Sequence, residues 1–370
     1  MSNMQTNTDA ASTMATVVID GLEVKTSTRA TILAAAKMAG IHIPTLCYLT
    51  GTNEIGMCRV CSVEVEGQDN LVPACKAKVA DGMVIHTQSE RAVAYRKMML
   101  ELIIAEHGLD STNYCFSCPK NGTCELQAVC REVGVVESPF ATEEKKPRKA
   151  ILDSNPFLTF DPNLCIQCQR CVGACNNRAY NHTLQTGKRG TRTKILAPFG
   201  EDWKATECES CGNCAAACPT GAITEKRRKY YREWEVERVR TTCPHCAVGC
   251  QIDMMVKDNR IVDAEPANGP SNKGMLCVKG RSSSFDFVMS PDRITTPLVK
   301  NKQTGEFEPA TWEEALDLVA TRFTELRDEF GGDALAAFAC SRSTNEDVYM
   351  LQKMARTVFK TNNVDNCARV

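Results

Sequence analysis

The sequence predicts an α+β protein built from several small modules, each organised around its own set of cysteines. The chain has 370 residues and 22 cysteines, of which 19 fall into five sets with metal-ligand spacing. Short strand and helix patterns alternate with these sets, and aromatic residues make up only 6% of the chain. This combination favours modules nucleated by metal over one large core. In chain order the sets are set 1, Cys47, Cys58, Cys61 and Cys75; set 2, Cys115, Cys118 and Cys124; set 3, Cys165, Cys168, Cys171 and Cys175; set 4, Cys208, Cys211, Cys214 and Cys218; and set 5, Cys243, Cys246, Cys250 and Cys277.

The spacing within the sets indicates iron–sulfur clusters. Disulfide-dense chains are usually small and secreted, and the polar start MSNMQTNTDA has no apolar signal region. Structural zinc needs two C-x2-C pairs per site, whereas three sets contain C-x2-C-x2-C or C-x2-C-x3-C triplets. Three close thiolates and a remote fourth are typical of a four-iron cluster. Five such sites in one chain predict electron transfer.

Composition excludes two classes of partner. No apolar run approaches the roughly 18 residues of a membrane helix, so no membrane span is expected. The net charge is −1 and no basic patch is interleaved with aromatic residues, so nucleic acid is not an expected partner. Cysteine-bound clusters suit a reducing setting, and we expect a cytoplasmic protein.

The first module is predicted from a hairpin, a helix and a closing strand. Val17–Ile19 and Leu22–Lys25 flank the turn pair Asp20–Gly21, a helix covers Ile32–Met38, and Val84–His86 forms the last strand. With set 1 and its x10 spacing, this order resembles the β-grasp [2Fe–2S] ferredoxin module that begins the complex I large subunit and iron-only hydrogenases.

The second module begins with a helix over Ser89–Glu106, whose apolar residues Val93, Met98, Leu102 and Ile103 predict its buried face. Set 2 follows. It resembles the [4Fe–4S] module with one histidine and three cysteine ligands that follows the β-grasp domain in the same families. Two candidates compete for the fourth ligand: His107, eight positions before Cys115, and Cys130, six after Cys124. We favour His107.

Sets 3 and 4 form an internal repeat. Asp161–Cys175 and Cys208–Ile223 each resemble half of a bacterial two-cluster ferredoxin, in which the last cysteine of each motif binds the other motif's cluster. The resemblance implies that Cys165, Cys168 and Cys171 share a cluster with Cys218. It likewise implies that Cys208, Cys211 and Cys214 share one with Cys175.

Set 5 lies beside a predicted hairpin, Ile252–Lys257 and Arg260–Glu265, which turns at Asp258–Asn259. The charged stretch Glu225–Arg240 before it is a connector or a surface strand, and we favour the connector. Set 5 with the sequence Cys-Val-Lys-Gly-Arg from Cys277 resembles the N-terminal [4Fe–4S] domain of molybdenum or tungsten bis-pterin-guanine-dinucleotide oxidoreductases. There a lysine lies between cluster and pterin, which implies an electron-path and cofactor-binding role for Lys279.

The remaining chain predicts the beginning of an α/β layer. A helix follows the capping box of Thr311 and runs to about Glu329, a buried strand covers Ala334–Ala339, and a second helix starts near Thr344. Cys340 and Cys367 have no partner at ligand spacing and are assigned to no metal. Asn362–Arg369 resembles the segment before the metal-ligating residue of formate dehydrogenases. The resemblance implies selenocysteine at position 371, with the printed sequence stopping at a UGA codon.

Together these resemblances imply the catalytic subunit of a formate dehydrogenase carrying one [2Fe–2S] and four [4Fe–4S] clusters. The complete protein would also hold a molybdenum or tungsten bis-pterin guanine dinucleotide, and the 370 residues alone are expected to be inactive. Expected partners are formate and an NAD(P)-binding flavoprotein iron–sulfur subunit or hydrogenase subunits. The alternative is a non-catalytic electron-transfer subunit of a hydrogenase or dehydrogenase complex. The predicted segments are 1–14, disordered; 15–93, β-grasp; 94–142, one-His, three-Cys module; 143–152, linker; 153–228, two-cluster ferredoxin; 236–296, bis-pterin-type [4Fe–4S] domain; and 297–370, start of the catalytic domain.

Overall fold

A computed structural model describes residues 13–107, 115–140, 149–190, 193–196, 203–226, 231–282 and 285–367. The chain divides into two units, Met1–Arg228 and Lys229–Val370, and each is described by itself. Three predictions fall wholly or mostly outside the described residues. They concern disorder over 1–14, the linker over 143–152, and the last three residues of the sequence.

Within the described residues we give the bounds of sixteen strands and eight α-helices. The strands are β1 Met14–Ile19, β2 Leu22–Ser27, β3 Ser62–Val65, β4 Val72–Pro73, β5 Val84–His86, β6 Leu158–Phe160, β7 Gln185–Gly187, β8 Lys194–Leu196, β9 Ile223–Glu225, β10 Glu237–Thr242, β11 Gln251–Lys257, β12 Arg260–Pro266, β13 Leu298–Lys300, β14 Phe307–Pro309, β15 Ala337–Ala339 and β16 Val364–Asn366. The α-helices are α1 Ile32–Met38, α2 Glu90–His107, α3 Glu125–Val133, α4 Arg170–Gly173, α5 Asn213–Ala217, α6 Val278–Ser282, α7 Trp312–Phe330 and α8 Asn345–Met354.

The N-terminal module is a five-stranded sheet in the order β2-β1-β5-β3-β4, covered by α1. Asp20 and Gly21 make the β1–β2 turn with φ of 47° and 83°, as the Asp-Gly pair predicts. Thr31 caps α1 by accepting from the Ala34 N–H. The predicted helix and closing strand have the observed bounds. The strand predicted from Val17 already begins at Met14, so the expected disorder does not reach that residue.

The face of α2 that packs inward differs from the predicted one. Ala92, Arg96, Leu100 and Ile104 are buried, whereas Val93, Met98 and Leu102 are each more than a third exposed. Arg96 decides the rotation of the helix. Its guanidinium donates to the Val60 carbonyl at 3.1 Å and to the Thr87 carbonyl at 3.0 Å. Apolar spacing could not identify this face because its central residue is charged and bonded to backbone oxygens.

The two ferredoxin motifs have matching local structure. Gln169 precedes α4 with φ 62° and Gly212 precedes α5 with φ 73°, so each triplet leads through a left-handed residue into a short helix. The antiparallel pair β6–β9 joins the beginning of one motif to the end of the other. These helices and strands share one apolar core with Leu158, Trp203 and Ile223.

In the second unit, β10, β11 and β12 form a three-stranded antiparallel sheet. The β11–β12 turn lies at Asp258 and Asn259, with φ of 50° and 58°, as predicted. The preferred connector over Glu225–Arg240 is wrong in part. Its end belongs to β10, an edge strand whose charged side chains face solvent and pair with neighbours, as Arg240 does with Asp253. Residues 227–230 lie outside the described part.

The C-terminal part contains two helices and the parallel pair β15–β16. Thr311 and Glu314 form the predicted capping box of α7, and Thr344 with Asp347 forms another at α8. The buried strand predicted over Ala334–Ala339 is shorter than expected, because its start is a 3-10 turn, and Phe338 is 79% exposed. Among the described residues, no helix is long and apolar enough to cross a membrane.

Candidate metal centres

Set 1 gathers four sulfurs on the loops around α1, β3 and β4. The Cys47 N–H donates to Cys58 Sγ and the Cys58 N–H to Cys47 Sγ, both at 3.4 Å. A side-chain hydrogen bond joins Cys61 to Cys75. A side-chain hydrogen bond between the Cys47 and Cys58 thiols lowers the pKa of Cys58 to about 6. The same side-chain hydrogen bond, together with burial, raises the pKa of Cys47. The structure therefore brings all four predicted cysteines of this set together.

Sets 3 and 4 are brought together in the crossed pattern that the ferredoxin resemblance implies. Burial raises the pKa of Cys171, and the neighbouring Cys168 and Cys218 raise it further. Burial also raises the pKa of Cys214, with Cys211, Cys208 and Cys175 adding to it. The last cysteine of each motif thus faces the triplet of the other motif.

These donor sets suit iron–sulfur clusters. Burial raises the pKa of Cys165 to about 11 and that of Cys168 to about 12, with nearby thiols adding to both effects. Several thiolates cannot be ionised side by side in an apolar core without a cation between them. Backbone N–H groups also point at sulfur, from Gln167 to Cys165 and from Ser210 to Cys208, each at 3.4 Å. Hydrogen bonds to sulfur are one of the factors that set the reduction potential of an iron–sulfur cluster.

Set 2 lines a cavity of about 360 Å³ together with both fourth-ligand candidates, His107 and Cys130. Burial lowers the pKa of His107, and its ring is hydrogen-bonded to the Leu164 backbone. Its Nδ1 atom is buried and has no hydrogen-bond partner among the described residues. Burial and Cys124 raise the pKa of the Cys130 thiol to about 11. An orphaned imidazole nitrogen beside three cysteines is what a metal ligand leaves when the metal is removed.

One buried amide joins set 1 to set 3. The Asn53 side-chain NH2 donates to the Cys47 carbonyl at 2.7 Å and to the Cys168 carbonyl at 3.0 Å, and Asn53 is only 4% exposed. Close beside it, a Cβ atom built on Gly173 would lie 2.4 Å from the Thr52 carbonyl oxygen. The two cysteine loops therefore touch backbone to backbone, a contact that no spacing in the sequence indicates.

Set 2 approaches the same ferredoxin module from another side. A Cβ atom built on Gly221 would lie 2.5 Å from Cys118 Sγ. Burial raises the pKa of Cys118, and the nearby Cys218 adds to that effect. Arg170, which is buried, donates to the Glu125 carboxylate at 2.7 Å. One apolar cluster also joins Leu46 beside set 1, Leu126 beside set 2 and Ile166 of set 3. Three cysteine sets thus meet around common contacts.

Set 5 lies in the second unit at the end of β10 and the start of α6. The Cys243 N–H donates to the Cys250 carbonyl at 2.8 Å, and burial, with nearby Cys277 and Cys246 adding to it, raises the pKa of Cys243. Cys246 and Cys277 are exposed. Lys279 lies in the first turn of α6, also exposed. Thus the four predicted cysteines converge, and the predicted lysine lies one turn from the last of them.

Five family models match consecutive parts of the chain. They are the 2Fe-2S iron-sulfur cluster binding domain (12–90), the NADH-ubiquinone oxidoreductase-G iron-sulfur binding region (96–139), the ferredoxin-like domain of NADH-quinone oxidoreductase subunit 3 (155–224), the molybdopterin oxidoreductase Fe4S4 domain (236–286) and molybdopterin oxidoreductase (293–370). The models agree with the predicted kinds of cluster, two-iron and four-iron, and with the start of a molybdopterin oxidoreductase domain at the end of the chain.

Several curated proteins are similar over nearly the whole chain. The alpha subunit of NADPH-Fe(3+) oxidoreductase from Geobacter sulfurreducens is 36% identical over 358 residues, and a G-type subunit of NADH-quinone oxidoreductase from Rhizobium meliloti is 36% identical over 359. Each alignment covers 96% of this chain. A Staphylococcus haemolyticus protein provisionally named as a formate dehydrogenase is 31% identical over 394 residues and 95% of this chain. The chain spans about two fifths of the length of these relatives.

One solved structure is also similar, a chain of NAD+-reducing [NiFe]-hydrogenase in the H2-reduced state. It is 30% identical with a TM-score of 0.53, and the alignment covers 59% of this chain and 90% of the hydrogenase chain.

Proposed function

We propose that the chain is part of a molybdopterin oxidoreductase that carries N-terminal iron–sulfur domains of the NADH-quinone oxidoreductase G type, and that it conducts electrons for formate oxidation; the matching family models and relatives support this proposal. Formate yields CO2, a proton and two electrons, and the electrons leave through the clusters one at a time. The observation that carries the electron-transfer role is the convergence of five cysteine sets, three of them in mutual contact.

The proposed ligands follow the groupings of sulfur described above. Set 1 holds a [2Fe–2S] cluster, and set 5 holds a [4Fe–4S] cluster. The triplet of set 3 with Cys218, and the triplet of set 4 with Cys175, hold one [4Fe–4S] cluster each. Set 2 holds the remaining [4Fe–4S] cluster with His107 as fourth ligand, and the unpartnered, buried Nδ1 of His107 supports this choice over Cys130.

Electrons enter at set 5 and leave toward a partner from the N-terminal modules. Within the first unit, the cluster of Cys165, Cys168, Cys171 and Cys218 is the meeting point. Asn53 connects its Cys168 loop to set 1, and the close approach of Cys118 to Gly221 connects the ferredoxin module to set 2. Buried apolar surroundings keep water away from these sites, which lowers solvent reorganisation when charge moves.

Formate as the substrate rests on the resemblance of Asn362–Arg369 to formate dehydrogenases and on the provisional name of the Staphylococcus relative. A molybdenum or tungsten bis-pterin guanine dinucleotide in the complete protein would accept the hydride equivalent. Lys279 would border that cofactor; its position on α6, two residues after the last cysteine of set 5, supports this role. Selenocysteine at position 371 is part of the same proposal, and a TGA codon after Val370 in an open reading frame tests it.

The partner that we propose is an NAD(P)-binding flavoprotein. The relatives named as NADPH-Fe(3+) and NADH-quinone oxidoreductase subunits, and the NAD+-reducing hydrogenase chain, support this choice. The same names favour a second candidate, an iron–sulfur subunit that carries NAD(P)H electrons without acting on formate.

Formate-dependent reduction of a viologen dye by the complete protein separates these two candidates. We expect dye reduction with formate, and its loss in Cys250→Ser, which removes a set 5 ligand. If the protein reduces the dye when NAD(P)H and the flavoprotein partner are supplied, but not when formate is supplied, only the second candidate remains. Iron analysis of the same preparation should give about 18 atoms per chain for one two-iron and four four-iron clusters.

A further inference from the structure

Two cysteines outside the five sets meet at one edge of the second unit. Cys340 directly follows β15 and Cys367 directly follows β16. These strands are parallel, and their last paired residues are Ala339 and Asn366. Because the register continues by one step, Cys340 and Cys367 lie opposite each other, and their Sγ atoms are 3.9 Å apart. Backbones of paired strands are about 4.8 Å apart, within the range that a disulfide spans.

The surroundings of the two thiols differ. Hydrogen bonds from the Ser341 backbone N–H and hydroxyl to the Cys367 sulfur lower the pKa of Cys367, and the neighbouring Cys340 thiol adds to this effect. Cys367 is exposed, whereas Cys340 is half-buried and accepts from the Arg342 N–H at 3.4 Å. An accessible, activated thiol beside a less accessible one is the arrangement of an attacking and a resolving cysteine.

We propose that Cys340 and Cys367 are a redox-active pair that forms a reversible disulfide at this sheet edge. The oxidant is a low-molecular-weight disulfide. The Cys367 thiolate attacks one of its sulfurs and releases one small thiolate, giving a mixed disulfide. The Cys340 thiol then loses its proton to solvent and attacks Cys367 Sγ, releasing the second small thiol. Two protein thiols are oxidised by two electrons in total, one small disulfide is reduced to two thiols, and excess thiol reverses both steps.

The pair is linked to set 5 through Ser341. The Ser341 carbonyl accepts from the Ala247 N–H at 3.0 Å, and Ala247 lies between Cys246 and Cys250. Forming a bond of about 2.05 Å from two sulfurs 3.9 Å apart must move both sulfurs and change the hydrogen bond between the Ser341 hydroxyl and the Cys367 sulfur. Ser341 follows Cys340 directly, so this movement acts on the hydrogen bond that holds the set 5 loop. Oxidation of the pair should therefore change the protection of the Ala247 amide.

Thiol trapping with mass spectrometry tests the pair in the complete protein. The anaerobic protein is incubated with oxidised glutathione, denatured with an alkylating reagent and digested. We expect a linked peptide pair containing Cys340 and Cys367, and its disappearance after dithiothreitol. Recovery of both residues fully alkylated, at glutathione ratios that oxidise a control dithiol, would overturn the proposal.

Single substitutions test the order of attack. Cys340→Ser should accumulate glutathione on Cys367, because no resolving thiol remains. In Cys367→Ser, glutathione should attach to Cys340 at least tenfold more slowly than it attaches to Cys367 in Cys340→Ser. Equal rates of glutathione attachment in the two variants would refute the assigned roles. Ser341→Ala is the matched control, since it keeps both thiols and should form the disulfide more slowly but completely. Hydrogen exchange of the peptide over residues 243–250 should differ between oxidised and reduced wild type and not in Cys340→Ser. Unchanged exchange in the oxidised protein would refute the link to set 5.

Discussion

Replacing Asn53 by alanine tests the contact between the set 1 and set 3 loops. The side chain is 4% exposed and donates to two buried carbonyls, of Cys47 and Cys168. Each buried acceptor left without a donor costs about 1–3 kcal/mol. The substitution should therefore lower the free energy of unfolding by at least about 2 kcal/mol. With a urea dependence of about 2 kcal/mol per M, the unfolding midpoint falls by about 1 M.

Two measurements follow the effect. The visible circular dichroism of the [2Fe–2S] cluster reports its loss as urea rises. In addition, the paramagnetic relaxation of that cluster depends steeply on its distance from the cluster at Cys168, and it should slow when the loops separate. Asn163→Ala is the matched control, because its amide bonds to the backbone of the exposed Lys149 and to the Asp161 carboxylate. Water can replace these bonds, so the loss should cost less than about 1 kcal/mol. An unchanged midpoint and an unchanged relaxation rate in Asn53→Ala would refute the bridging role.

Two further substitutions address other contacts in the first unit. His107→Ala should abolish the native electron paramagnetic resonance signal of the set 2 cluster, whereas Cys130→Ser should leave that signal intact. The reverse result would make Cys130 the fourth ligand. Gly173 has a helical φ of −59°, so Gly173→Ala strains no backbone but forces a Cβ atom against the Thr52 carbonyl oxygen. It should destabilise the module by about 1–3 kcal/mol in urea unfolding, and an unchanged unfolding midpoint would contradict this close approach.

Local elements followed from local chemistry. The Asp20–Gly21 turn, helix α1 and the capping box of Thr311 depend on residues next to each other in the chain, and the structure confirms all three. Cysteine spacing likewise identified the five sets, because short loops leave few ways for their sulfurs to face one site, whereas the crossed grouping of sets 3 and 4 came from the ferredoxin resemblance.

Contacts between distant segments could not be predicted in this way. Arg96 is buried on α2 because two backbone carbonyls happen to meet it, and a charged residue carries no signal of burial in the sequence. The end of the Glu225–Arg240 stretch is a strand because β11 offers a free edge, so its charged side chains could remain in solvent. Asn53 and Cys340 are isolated in the sequence, and only the fold gives them partners.

The meeting of three sets also makes a prediction about the electron route. A route in strict chain order would pass set 2 before set 1. In the first unit, however, set 1 contacts the Cys168 loop directly through Asn53, and set 2 approaches the ferredoxin module separately, with Cys118 close to Gly221. We therefore predict that set 2 is a side branch, and that electrons pass from the central cluster to set 1 without it.

Cys115→Ser tests this branch, because it removes a set 2 ligand while leaving Cys118 in its contact with Gly221. Formate-dependent NAD(P)+ reduction by the complete protein and its flavoprotein partner should persist at half of the wild-type rate or more. Cys58→Ser, which removes a set 1 ligand, should abolish NAD(P)+ reduction and spare viologen reduction. If Cys115→Ser abolishes NAD(P)+ reduction while the set 1 and ferredoxin cluster signals remain intact, the route passes through set 2 and the contact through Asn53 carries no electrons.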